Sequence, residues 1–385
     1  MSLPFEQAVR SLKPGQTVRL EPGSPIYRGP YHATVLGVNG DGMRISVPLD
    51  HGKLVLLPVG TRVGVAFKGE GGEERAIEMQ ISMRTGGKDR ALFLSPALPE
   101  RPQERVTEPV RHSVPVIAVS SGKGGVGKST LVVNLGIALS RLGRRVCIID
   151  GDLGTANVDV LLNLATPYNL AHVVHGEKHM LEVVVEGPED MIILPGGSGF
   201  QDLTTLPEES FRVLLAQFQQ LEEYADVLLI DTGSGLSPSV TNFILAASQA
   251  ILITTPEPHA ITDCYALIKV LAGYGYEAPL HLVVNRVESE REGDHIARKM
   301  AFASKRFLHM ELRTLGYIME DPAIVRSIRR QSPVLVDEPR SRASLQIMGL
   351  AERLVGEKGR ALEQAGSRSF LERMRRLLPL GKVQA

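Results

Sequence analysis

Residues Gly122–Thr130 read GKGGVGKST. Gly122, Gly127, Lys128 and Ser129 stand at the G-x-x-x-x-G-K-[ST] spacing of a P-loop. Gly122, Gly124, Gly125 and Gly127 have no side chains to block a backbone that curls its N–H groups, that of Val126 included, around phosphate oxygens. A helix starting beside Ser129 and Thr130 adds the partial positive charge of its N-terminus. Lys128 would neutralise the β- and γ-phosphates, and the Ser129 hydroxyl would ligate Mg²⁺. The chemistry expected of this stretch is the binding of ATP with Mg²⁺. A glycine-rich turn carrying an accidental lysine is the alternative, and it explains neither the full spacing nor the flanking strand and helix patterns.

Three further places supply polar groups of the right kind. The apolar run Val146–Ile149 ends in Asp150, and the chain continues as GDLGTAN. Asp150 and Asp152 therefore fall at the carboxyl end of a strand. A carboxylate there can orient water for in-line attack on a γ-phosphate; Asp152 equally suits the cap of a turn. The segment VLLIDTGSG places Asp231 after a second apolar strand, the Walker B arrangement, to act on Mg²⁺ through water. Gly233 and Gly235 leave the following loop free to move with γ-phosphate occupancy. LVVNR ends another strand at Asn285, whose amide can pair with the donor and acceptor edges of adenine.

Elements able to position these groups alternate after residue 114. Apolar strands are predicted at Val116–Val119, Val146–Ile149, Met191–Leu194, Val227–Ile230, Ala250–Thr254, Leu280–Val284 and Leu315–Ile318. Helical patterns occupy Leu131–Leu142, Pro207–Tyr224, His259–Ala272 and Asp294–Met310. Such alternation predicts an α/β P-loop fold: a largely parallel sheet with helices on both faces and the nucleotide at the carboxyl ends of the strands.

Before residue 96 the pattern is different. Short β-type runs at Thr17–Leu20, Tyr31–Val38, Met43–Pro48, Lys53–Leu57, Arg62–Phe67 and Ala76–Met83 are separated by turn residues, which predicts a small all-β, barrel-like domain over 1–95. The Pro- and charge-rich stretch SPALPERPQERVTEPVRHS reads as a linker, 96–113. The ATPase-like unit then spans 114–356, and a connector with a final helix covers 357–385.

The chain of 385 residues carries 43 basic and 43 acidic side chains, so no global field draws it to nucleic acid. Its two cysteines, Cys147 and Cys264, form no CxxC pair, which suits a reducing compartment and excludes an iron–sulfur carrier built on paired bridging cysteines. No signal-peptide pattern or membrane-length apolar run is read, so a cytoplasmic protein, or one peripheral to the membrane, is expected.

Ser367–Leu378 reads SRSFLERMRRLL. Phe370, Met374, Leu377 and Leu378 fall on one helical face, with Arg368, Arg373, Arg375 and Arg376 around it. A basic amphipathic helix of this kind is expected to lie on an anionic membrane surface; packing on the protein core is the alternative. Two such tails on one dimer would bind far better than one, by a factor on the order of 10²–10⁴.

Lys123, directly after the first glycine, resembles the extra lysine of the deviant Walker A ATPases, which include MinD, ParA and the nitrogenase iron protein. DGDLGTANVDVLLNL, LLIDTGSGLSPSVTNFILAASQAILITTPEPHAITDCYALIK and GYIMEDPAIVRSIRRQSP resemble FlhG, the MinD-like regulator of flagellar number and placement. That resemblance implies slow ATP hydrolysis, an ATP-dependent homodimer and membrane association of the ATP form. It also implies partners among FlhF-type GTPases and flagellar switch or basal-body proteins. It makes Lys123 a lysine acting across the dimer, Asp152 the residue that activates water, Asp231 the Walker B carboxylate and Asn285 the adenine reader. Gly151 and Thr155 depart from the family's usual residues without removing a catalytic group.

Many relatives begin with a DQAxxLR-like segment that stimulates the partner GTPase. Glu6–Leu12 matches it in part, with Arg10 in place of leucine. The first 95 residues resemble the N-terminal domain of YcgR-type flagellar brake proteins, without the PilZ signature that would bind cyclic-di-GMP. Septum-site or chromosome-partition ATPases of the same fold are the nearest rival reading.

Overall fold

Strands that read as alternating apolar and polar residues close into a barrel, and strands that are apolar throughout build a sheet covered on both faces. The computed structural model describes residues 12–22, 29–39, 42–50, 53–55, 57, 61–69, 73–85, 91–96, 114–152, 158–197, 208–221, 224–356 and 367–377. Glu6–Ser11, Thr155, most of the expected linker, the connector 357–366 and Leu378 lie outside them. The chain divides into two units, Met1–Arg111 and His112–Ala385.

In the first unit, strands β1 (Thr17–Pro22), β2 (Tyr31–Asn39), β3 (Gly42–Ser46), β4 (Leu49–Asp50), β5 (Lys53–Leu54), β6 (Arg62–Lys68), β7 (Glu74–Thr85) and β8 (Ala91–Pro96) are joined in the order β1-β6-β7-β8-β3-β2-β4-β5. β1 also pairs with β2, closing six strands into an antiparallel barrel, while β4 and β5 form a hairpin attached to β2 at His32. Inward residues such as Leu20, Val35, Ile45, Val65, Met79 and Leu94 fill it. Strand β8 is an addition to the sequence reading. ALFLSP runs into the proline-rich stretch, which masks its period, and only pairing with β3 and β7 defines it.

The second unit holds β9 (Val116–Ser121), β10 (Val146–Gly151), β11 (Val185–Glu186), β12 (Ile192–Leu194), β13 (Val227–Ser234), β14 (Gln249–Thr254), β15 (Leu280–Val287) and β16 (Arg313–Met319). Their order is β11-β12-β10-β13-β9-β14-β15-β16. Every pairing is parallel except that of the short edge strand β11 with β12. The central strands are buried along their whole length, as a sheet covered on both faces requires.

Numbering only helices of two turns or more, the described residues hold α1 (Lys128–Arg141), α2 (Glu208–Gln220), α3 (Pro238–Ala246), α4 (Pro258–Gly273), α5 (Glu290–Leu308), α6 (Pro322–Arg329), α7 (Arg342–Gly356) and α8 (Ser367–Leu377). Helices α1 and α7 pack together over one face of the sheet, while α3, α4 and α5 line the strands from the other side.

One expectation is corrected here: Asp231 does not end its strand, because β13 continues to Ser234, with its register against β9 shifting between Asp231 and Ser234. Of the two readings of the last helix, a membrane surface or the protein core, its apolar face here lies on the core. α8 packs on α2 and α3. Phe370 is 0% exposed and Met374 is buried, and Leu377 is half-buried. The Phe370 ring stacks at 6.2 Å from Phe218 and 6.5 Å from Phe243. Arg375 lies 4.6 Å from the centre of the Phe211 ring. A membrane and an apolar protein groove select the same periodicity. Here the groove exists, because α2 and α3 each present a ring, Phe218 and Phe243, to Phe370.

Candidate nucleotide site

β9 is six residues of buried, mostly apolar strand, and α1 begins six residues after it ends. The turn between them is Gly122–Gly127. Gly127 takes φ +95° as the residue before the helix, and Gly125 takes φ +77°. These left-handed conformations suit glycine and few other residues. A Cβ on Gly127 would lie 2.4 Å from Asn285 Nδ2, and one on Gly122 would run into the backbone of Asp263 and Cys264 in α4. Three of the loop's four glycines are thus required by backbone conformation or by close approach. Around Gly125 no atom stands within 4 Å of where a Cβ would be. The first turn of α1 contains Lys128, Ser129 and Thr130 and no acidic residue. Its free N–H groups and partial charge therefore favour an anion.

The two lysines of this loop have different partners. Lys128 is 8% exposed, and its Nζ donates to Asp231 Oδ1 at 2.5 Å. Lys123 is 38% exposed and pairs with Glu257 Oε2 at 2.7 Å. The lysine holds the Glu257 carboxyl below the usual glutamate range. Burial pushes the Asp231 carboxyl above the usual aspartate range, with the Lys128 ammonium acting against it. Asp231 Oδ2 is buried without a hydrogen-bond partner.

Asp150 and Asp231 are directly paired across β10 and β13. Asp150 accepts the Asp152 N–H on Oδ1 at 3.1 Å and the Val158 N–H on Oδ2 at 3.3 Å. It braces the loop that carries Asp152. The Asp152 carboxylate in turn stands by the Gly233 backbone, with Oδ1 3.8 Å from where a Gly233 Cβ would be. Thr232 Oγ1 donates to Val119 O at 3.1 Å, tying the bulge of β13 to β9.

Asn285 ends up beside the P-loop, 159 residues away in sequence. Its Nδ2 donates to Val126 O at 2.7 Å, while Oδ1 is buried without a partner. This orientation of the amide is the one that places a donor, not a second oxygen, against the carbonyl. One N–H of the Asn285 amide is thus held by the P-loop carbonyl, and its oxygen is the buried acceptor without a partner.

The residues present fit a nucleotide with Mg²⁺. The first turn of α1 offers N–H donors, Asp231 Oδ2 and Asn285 Oδ1 are unsatisfied acceptors, and Ser129 is the second residue of α1. Glu257 was missed by sequence reasoning. The signal was available: it follows β14, so it is a carboxylate just past the end of a strand neighbouring β9, the same signal that marked Asp150. Cys147 and Cys264 are buried, and burial pushes both thiols up to about 12, which keeps them protonated.

Residues 117–334 match the family described as the CobQ/CobB/MinD/ParA nucleotide binding domain, and residues 13–96 match the one described as flagellar protein YcgR. The chain is 39% identical over 243 residues to the antiactivator FleN of Pseudomonas aeruginosa, covering 63% of this chain and 87% of that protein. It is 33% identical over 270 residues to the flagellum site-determining protein YlxH of Helicobacter pylori, covering 68% and 90%. Among solved structures, the septum site-determining protein MinD with Mg-ADP from Pyrococcus horikoshii superposes with a TM-score of 0.52 at 28% identity, over 64% of this chain and 98% of that one. With a buried lysine–aspartate pair beneath a phosphate-binding turn, and with a match over more than half its length, this chain belongs to the MinD/ParA family of nucleotide-binding proteins, in its FlhG-type branch.

Proposed function

We propose that the protein is an ATP-hydrolysing switch. ATP joins two copies, the dimer associates with an anionic membrane surface, and the cycle controls flagellar number or placement. The observation that carries the reading is the division of labour between the two lysines of one loop. Lys128 is buried against Asp231, where phosphates must arrive. Lys123 sits at the half-exposed rim, paired with the exposed Glu257, and is free to serve a second nucleotide once that pair opens. FleN and YlxH, whose names speak of antiactivation and of flagellum sites, support the flagellar part.

The chemistry follows from the site. On ATP binding, Lys128 exchanges the Asp231 carboxylate for the phosphates, which leaves Asp231 to hold Mg²⁺ through water together with the Ser129 hydroxyl. When bound, Mg²⁺ supplies neutralisation of the charge shared by the β- and γ-phosphates. Asp152, on the loop braced by Asp150, orients the attacking water. Lys123 of each copy stabilises the phosphates in the other. Asn285 receives the adenine amino group on Oδ1.

No helix among the described residues is long and apolar enough to cross a membrane. Membrane association is assigned in this reading to the basic, amphipathic tail helix α8, which must first leave Phe218 and Phe243, so that docking and insertion into lipid compete for one apolar face. An FlhF-type GTPase and flagellar switch or basal-body proteins are the partners this reading assigns, without direct binding of nucleic acid.

The test is sedimentation with ATP. Asp152→Ala should form a long-lived dimer with hydrolysis lowered at least tenfold, and Lys123→Ala should bind ATP yet remain monomeric. A dimer of Lys123→Ala as stable as wild type defeats the trans role. The rival, septum-site or partition function, is separated by a deletion strain: altered flagellar number supports the proposal, and minicells or plasmid loss overturn it.

A further inference from the structure

The docked tail helix closes a cavity of about 340 Å³ against the body of the second unit. Its walls come from the end of α3, at Leu245 and Ala247, and from the turn Tyr274–Ala278 after α4. Arg373 and Arg376 of α8 complete it. Arg373 donates from Nε to Ala246 O at 2.8 Å, which orients the guanidinium. Its Nη2 is buried and has no hydrogen-bond partner. Arg376 is exposed beside it. Among the described residues neither arginine has an ion-pair partner, although the exposed Glu277 also lines the cavity. Burial holds the Arg373 guanidinium below its ordinary range, as expected for a charge whose surroundings do not compensate it.

A buried donor on a cation without a partner is costly, and an oxyanion is the group that satisfies it. Two guanidinium groups three residues apart on one helix face suit the several oxygens of a phosphate better than a single carboxylate would. We propose that this cavity binds a phosphate group between Arg373 and Arg376, and that the bound phosphate clamps the tail helix in its docked position.

The clamp is a linkage effect. Both arginines and Leu377 belong to the tail and the remaining walls to the body, so the complete site exists only while the tail is docked. A ligand that binds only the docked form shifts docking in its favour, about elevenfold at ten times its Kd. The same phosphate chemistry is available from a free phosphate or from a phospholipid headgroup. These two sources differ in consequence: the first retains the tail on the protein, and the second holds the docked tail at the membrane surface, a state that precedes release of its apolar face from Phe218 and Phe243 into lipid.

The test is hydrogen exchange across residues 367–377 of the full chain. Sodium phosphate is compared with sodium chloride at equal ionic strength, and the readout is confined to the tail helix, apart from any phosphate held in the P-loop. Phosphate is expected to slow exchange of the tail helix about tenfold. Arg376→Gln, at an exposed position, should cut that protection at least fivefold, and Glu277→Gln should reach it at lower phosphate. Vesicles of phosphatidylglycerol and of phosphatidylcholine form the second arm. Protection by phosphatidylglycerol alone identifies the headgroup as the source, and protection by inorganic phosphate without any vesicle effect identifies the soluble anion. Protection equal in chloride and phosphate, or unchanged in Arg376→Gln, overturns the proposal.

Discussion

Removing Lys128 tests the site apart from any nucleotide. In Lys128→Ala the carboxylate of Asp231, 0% exposed, loses the ammonium at 2.5 Å and keeps no counter-charge. Breaking a buried ion pair from one side costs about 3–5 kcal/mol, because a charge is left stranded. For a domain of this size each kcal/mol moves Tm by about 2–4 °C, so the loss is about 6–20 °C. The penalty must also depend on pH. The Asp231 carboxyl is already raised in the folded protein, and losing Lys128 raises it further. The folded variant then takes up a proton at a pH where the unfolded chain, with an aspartate near 3.9, does not. The penalty is therefore full above the raised pKa, shrinks as pH falls through it, and is gone below about 3.9. A second substitution, Asp231→Asn, removes the stranded charge and should restore most of the lost Tm without restoring ATP binding. Thermal unfolding of wild type, Lys128→Ala and the double variant between pH 5 and 8, without nucleotide, checks each step. A Tm for Lys128→Ala within 2 °C of wild type, or an equal deficit in the double variant, would refute the reasoning.

Other outcomes follow from the same structure. Gly127→Ala should lower the Tm of the nucleotide-free protein more than Gly125→Ala. Both carry a positive φ, but only the former drives a Cβ to 2.4 Å from Asn285 Nδ2; equal losses would count against that contact. Phe370→Ala should undock α8, because deleting a buried aromatic ring costs about 3–5 kcal/mol. Exchange at residues 367–377 should rise while the sheet stays protected; a tail helix that remains protected shows that Phe370 does not hold it. Asp226 takes the Arg145 backbone N–H and its guanidinium, and Arg145 pulls its carboxyl below the usual range despite partial burial. Its contribution is present above the unfolded value, near 3.9, and is lost as pH falls through the folded one. Asp226→Asn should thus reduce stability at pH 7 and match wild type in strong acid, as urea midpoints across that range will show.

The P-loop was legible because its chemistry is local: four fixed positions in eight residues, a strand before and a helix after. The α/β order was legible because a fully covered strand must be apolar throughout, and VIAV, VLLI and AILI are. The barrel was legible from its alternation, except at β8, where the proline-rich stretch hides the period. The tertiary structure decided what depends on residues far apart. It gave Lys123 a partner 134 residues away at Glu257 and set one N–H of Asn285 against the Val126 carbonyl. It also turned the apolar face of the last helix inward. A helical period records that one face avoids water but not what covers it. Phe218 and Phe243 carry no mark in sequence that sets them apart from other core aromatics. Only when the fold brings α2 and α3 to the same helix do their rings form the site that Phe370 fills.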